Sequence, residues 1–115
     1  MTGRVAIVTG GTGALGQAIT GALLEAGATV AIPYAVAEER AALEGRLAPE
    51  LRARLLPMAA DVTDEAACAR TVTATVERLG GLTTLVNSAG VGPQRELSPA
   101  DEFRQIVAIN LTGTW

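Results

Sequence analysis

The stretch Gly11-Thr12-Gly13-Ala14-Leu15-Gly16 carries the clearest chemistry in this 115-residue chain. It spells G-x-G-x-x-G and lies directly between a short apolar run and an amphipathic one, the context in which that string is informative. Glycines at this spacing permit a tight turn, let main-chain atoms approach a bound group, and let a helix pack closely on a strand. The first amides of a helix lack internal partners, and its dipole places about half a positive charge there. The chemistry on offer is a grip on phosphate or diphosphate. The plain alternative is a glycine-rich turn that only connects strand to helix.

The surrounding sequence supplies the elements. Arg4 to Thr9 is a continuous apolar run with β-branched residues, suited to a strand buried on both faces. Leu15, Ile19 and Leu23 follow at helical spacing, and Gly27 closes the pattern. Thr29 to Ile32 is a second strand, with Pro33 at its end. A helix over Ala37 to Leu47, charged through Glu38, Glu39, Arg40 and Glu44, leads to a third strand over Leu55 to Ala60. Cys68, Val72, Val76 and Leu79 predict one apolar stripe on a helix over Asp64 to Leu79, stopped by Gly80-Gly81. Leu82 to Val86 is the fourth strand; Ser98-Pro99-Ala100-Asp101 starts a helix carrying Phe103, Ile106 and Val107.

This βαβαβαβα order predicts an α/β, Rossmann-type, doubly wound parallel sheet of about four strands with helices on both faces. In such sheets ligands sit beyond the carboxyl ends of the strands, where strand order reverses. Thr9 to Gly16, Asp61, and Asn87 to Gly90 fall at those ends.

Composition narrows the function. A net charge of -3 and nine scattered arginines offer no basic face, so nucleic acid is an unexpected partner. With no histidine and one cysteine, Cys68, neither a zinc-ligand pattern nor a Ser-His or Cys-His nucleophile pair can be written. Cys68 reads as a small buried hydrophobe. Val5 to Val8 is too short for a signal sequence and no stretch approaches a membrane span, so a cytoplasmic protein without membrane contact is expected.

Thr9-Gly10-Gly11-Thr12-Gly13-Ala14-Leu15-Gly16, Asp61-Val62, Asn87-Ser88-Ala89-Gly90 and Asn110 in Ile109-Asn110-Leu111-Thr112-Gly113 together resemble the short-chain dehydrogenase/reductase family. The resemblance implies a cofactor loop at Thr9, Gly10 and Gly16, with Ala14 where compact members have glycine. The spacing of Gly10, Gly13 and Gly16 is that of the extended members. It implies that Asp61 contacts adenine with Val62 nearby, a reading favoured over the structural one in which Asp61 or Thr63 simply caps the next helix. It implies that Asn87, Ser88, Ala89 and Gly90 steady the central sheet and line the nicotinamide side of the cofactor site, and that Asn110 belongs to a catalytic relay.

The implied reaction is reversible hydride transfer between NAD or NADP and a small alcohol or carbonyl substrate. Cofactor choice stays open, because Tyr34 stands at the position of the NAD-type acid and Ala35 at that of the NADP-type base. Glu38 and Glu39 read as dipole partners of their helix. The family's proton donor is a tyrosine followed four residues later by a lysine; Tyr34 is the only tyrosine and the chain has no lysine. The expectation is therefore one domain over residues 1–115, the N-terminal cofactor-binding part of a longer, homo-oligomeric enzyme that is inactive as this piece alone. The alternative is a dinucleotide-binding module without catalysis, acting as a sensor or assembly component. Another nucleotide-using Rossmann enzyme, such as a methyltransferase, would carry an acid where Tyr34 stands. Without further chain, the fourth strand is expected to be an apolar edge prone to pairing.

Overall fold

The computed structural model describes residues 3–90 and 98–109. Its elements are β1 (Val5–Thr9), α1 (Ala14–Glu25), β2 (Thr29–Tyr34), α2 (Ala37–Arg46), α3 (Pro49–Arg52), β3 (Leu55–Ala59), α4 (Glu65–Leu79), β4 (Thr84–Asn87) and α5 (Pro99–Ile106). The strands form one parallel sheet in the order β3-β2-β1-β4. The chain thus winds outward from β1 to β3, then crosses back to place β4 on the other side of β1. Strand order reverses between β1 and β4, and there the carboxyl ends open a crevice.

Side-chain alternation divides the interior into two layers. Ala6, Val8, Val30 and Ile32 join Leu24 of α1 and Leu43 of α2 in one buried cluster. Each large aliphatic side chain buried there contributes about 1.5–3 kcal/mol of apolar transfer. Ile7 and Ala31 are buried on the opposite face, where α4 packs on β2.

Both strand prolines sit where no ladder bond is lost. In β2, the Thr29 amide donates to Arg4 toward β1 and the Val30 amide donates to Arg54 toward β3. By this alternation Pro33 faces β1, but β1–β2 pairing ends at Ile7–Ala31, before Pro33. In β3, Ala60 donates to Tyr34, so even-numbered residues face β2 and Pro57 turns outward on an edge strand.

Helix ends follow the sequence signals. Gly27 and Gly80 close α1 and α4 with φ of 99° and 81°. Asp64 caps α4 by accepting from the Ala67 amide, and Ser98 caps α5 by accepting from the Asp101 amide.

Two apolar stripes differ from the sequence expectation. On α4 the buried residues are Ala67, Thr71 and Thr75, whereas Val72 and Val76 are 46% and 45% exposed and Cys68 is half-buried. The threonine hydroxyls donate to the carbonyls of Ala67 and Thr71, so each side chain presents only its methyl to the sheet and packs like a small aliphatic residue. On α1 the fully buried residues are Gly16, Thr20 and Leu24, while Ile19 and Leu23 of the expected stripe pack half-buried against the same core. Leu15, 69% exposed, faces the crevice instead. At the other edge of the sheet, Leu85 of β4 is 59% exposed. No helix among the described residues is long and apolar enough to cross a membrane.

Candidate functional site

The crevice is a cavity of about 640 Å³. Four strand ends contribute to its wall: Gly10 and residues 12–16 after β1, residues 33–36 and Glu39 after β2, residues 60–62 after β3, and residues 88–90 after β4. Gln105 and Ile109 close one side.

The glycine loop is fixed by its own hydrogen bonds. The Gly10 carbonyl accepts from the Gly13 amide, the Gly11 carbonyl from the Thr20 hydroxyl, and the Thr12 carbonyl from Gln17 Nε2 at 2.8 Å. Arg46 holds Gln17 by donating to Oε1 at 2.7 Å. Three successive carbonyls are thus satisfied inside the protein. At the mouth of α1 the N-cap is Gly13, no side chain caps it, and the first turn carries no acid, whereas α2 carries two there and α3 and α4 one each. The amides and the positive end of the α1 dipole are left open to a ligand.

Three glycines are required by contact; at Gly11 a Cβ would lie 2.6 Å from Cγ2 of the buried Ile32 and 3.1 Å from the Val8 carbonyl oxygen. Gly10 adopts φ of +67°, and a Cβ there would lie 2.6 Å from the Ser88 carbonyl oxygen. A Cβ on Gly16 would meet the Gly10 carbonyl oxygen at 1.7 Å. Ala14, by contrast, is exposed and begins α1 in an ordinary helical conformation, so alanine in place of glycine costs the loop nothing.

Thr9 and Asn87 do not line the cavity. They pair across β1 and β4, and Thr9 Oγ1 accepts from the amides of Ser88 at 3.1 Å and Ala89 at 3.3 Å while donating to the Val86 carbonyl. Thr9 therefore ties the glycine loop to the end of β4 at the point of strand reversal. Asp61 lines the cavity and also makes the turn before α4: its Oδ1 accepts from the Thr63 amide at 2.9 Å and the Thr63 hydroxyl at 2.8 Å. Val62, Ser88, Ala89 and Gly90 line the cavity as well. Asn110 lies outside the described residues.

Tyr34 stands at the end of β2 beneath Arg40, whose guanidinium lies 5.1 Å from the ring centroid. Arg40 Nη1 donates to the Tyr34 hydroxyl and Nε to Glu44 Oε1, both at 2.9 Å. The Glu44 carboxylate first, and the Tyr34 hydroxyl second, hold the guanidinium pKa above its ordinary value. Glu39 reaches the cavity and accepts from the Thr12 hydroxyl at 3.2 Å. It is more than a dipole partner of α2. No local sequence signal marks it: its place at the cavity depends on how α2 docks past the end of β2.

The residues present fit a nicotinamide dinucleotide. Between Gly10 and Gly16 the main chain packs so tightly that a Cβ on either glycine would strike backbone, which holds the uncapped mouth of α1 at the cavity, and among the described residues Gln105 Oε1 is buried at the cavity wall with no partner, an acceptor that a ligand N–H would satisfy.

Comparison with known proteins agrees with this geometry. Levodione reductase of Leifsonia aquatica is 38% identical over 120 residues, which cover 99% of this chain and 44% of the reductase. The NADP-dependent (R)-specific alcohol dehydrogenase of Lentilactobacillus kefiri is 34% identical over 119 residues, covering 100% of this chain and 46% of that enzyme. A solved NAD+-bound xylitol dehydrogenase superposes with a TM-score of 0.83 at 30% identity, covering 98% of this chain and 44% of that one. The chain spans less than half the length of these relatives. The sequence profile of the family described as short chain dehydrogenase matches residues 4–115. A match of that extent, over a sheet whose crevice carries the glycine cradle, places this chain in the short-chain dehydrogenase family.

Proposed function

We propose that this chain is the cofactor-binding part of an NAD(P)-dependent oxidoreductase acting on a small alcohol or carbonyl compound. Support comes from relatives named for such reactions, one as NADP-dependent and one solved with NAD+. The observation that carries the reading is the cradle between Gly10 and Gly16, whose carbonyls are used internally while the amides at the mouth of α1 stay open.

When bound, the nicotinamide group supplies reversible hydride transfer. The chain's own residues bind and orient. Amides of the first turn of α1 would hold the diphosphate. Tyr34, Val36, Asp61 and Val62 would receive the adenosine end; Ala89 and Gly90 allow a flat ring to approach the backbone at the end of β4. Thr9 keeps the two halves of the cradle in register.

Hydride transfer at a carbonyl also needs a proton exchanged at its oxygen. Tyr34 is the only tyrosine in the chain, it is held by Arg40, and no lysine is present. The proposal therefore assigns the proton-exchanging pair to a part of the protein outside this chain, with Asn110 joining its relay and subunits associating beyond it. Fluorescence titration with NADH and NADPH tests the reading. Saturable binding of at least one supports it; no binding of either to folded protein contradicts it.

A further inference from the structure

We propose that Glu39 makes this protein prefer NAD to NADP, an inference that rests on the dinucleotide reading above. The end of β2 reads Pro33-Tyr34-Ala35 and offers neither an acid nor a cation. The charge that reaches this part of the cavity comes from α2. Glu39 lies in the first turn of that helix, and its Oε2 accepts from the Thr12 hydroxyl at 3.2 Å, a bond between side chains 27 positions apart. Thr12 is 4% exposed, so the hydroxyl is a fixed anchor that holds the carboxylate beside the glycine loop.

Among the described residues, the charged side chains lining the cavity are both carboxylates, Glu39 and Asp61. Asp61 Oδ1 is engaged by Thr63. The neighbouring cation, Arg40, does not line the cavity and is held by Glu44 and Tyr34. A ribose between a diphosphate on the glycine loop and a base near Asp61 would pass Glu39. Its hydroxyls would donate to the free Glu39 lone pairs, as charge-assisted hydrogen bonds. A 2′-phosphate, carrying about -1.5 to -2 charges, would meet that carboxylate with no guanidinium among the described residues lining the cavity to offset it. Glu39 is solvent-exposed, so water and salt moderate the repulsion and the expected discrimination is about tenfold.

The test is equilibrium binding of NADH and NADPH to the full-length protein, wild type and Glu39→Gln, with circular dichroism to confirm folding. Glutamine keeps an acceptor for Thr12 and removes the charge. The expected result is NADH about tenfold tighter in the wild type, and a preference that largely disappears in E39Q because NADPH binding improves. Glu39→Ala, which also removes the hydrogen bond, should behave likewise toward NADPH. Arg40→Ala should leave the preference unchanged. NADPH binding as tightly as NADH in the wild type, an unchanged preference in both Glu39 variants, or loss of NADPH binding in R40A would overturn the inference while leaving the dinucleotide reading intact. Failure of folded wild-type protein to bind either coenzyme would overturn the reading beneath it, and the inference with it.

Discussion

Gly10 and Gly16 are in such close contact that the Cβ Gly16 lacks would stand 1.7 Å from the Gly10 carbonyl oxygen. Neither atom can yield, because the Cβ position is fixed by the helix backbone, the oxygen is itself main chain, and the Gly10 backbone lies close against Ser88. Gly16→Ala should therefore cost at least the about 1–3 kcal/mol typical of overpacking. Gly13→Ala should cost under about 1 kcal/mol, since its nearest neighbour would be 3.4 Å away and its φ of -74° suits any residue. Urea denaturation of the two variants checks the contrast; equal destabilisation would refute it.

Thr9→Val keeps the shape of the side chain and deletes its hydroxyl. Ser88 retains the Thr9 carbonyl as acceptor, but the Ala89 amide loses Oγ1. A loss of about 1–3 kcal/mol is expected for the half-buried amide left unsatisfied. Hydrogen exchange should show faster exchange at Ala89 than at Ser88; unchanged exchange at both would contradict the clamp.

Leu24 and Val76 test which helix faces are buried. Leu24 is fully buried, so Leu24→Ala should cost about 2–5 kcal/mol. Val76 is 45% exposed, and Val76→Ala should cost under about 1 kcal/mol. Thermal melts compare them, and a Val76 effect as large as that of Leu24 would restore the apolar stripe expected from spacing.

Leu85 tests the sheet edge. It is 59% exposed on β4, which pairs with β1 alone among the described strands. Leu85→Lys in the 115-residue chain should reduce self-association in sedimentation velocity, because a charge on an edge opposes pairing. A wild-type chain that is already monomeric at the same concentration would count against this.

The parallel sheet, its strands and the glycine cradle were legible because each rests on local signals. Apolar runs of five or six residues, glycines past helix ends and a capping serine at Ser98 say the same thing locally and globally. Spacing picked out Ile19 and Leu23 of α1, which pack on the core, but not the fully buried row beside them nor the buried face of α4. Thr20, Thr71 and Thr75 hide their hydroxyls on main-chain carbonyls and then pack as apolar groups, a use of threonine that a hydrophobicity pattern cannot display. The short helix α3 was missed because its four residues are too few for periodicity. Most of the cavity lining was readable from the strand ends; Glu39 and Gln105 were not, because their placement depends on how α2 and α5 dock.

The most direct measurement follows backbone amide resonances of the labelled protein during titration with NADH. Saturable shifts should concentrate at residues 14–16 and 88–90, where the open amides of α1 and the end of β4 meet the cavity. Shifts confined to the far edge of the sheet around β3 and α3, or none at saturating coenzyme, would contradict a diphosphate held at the mouth of α1.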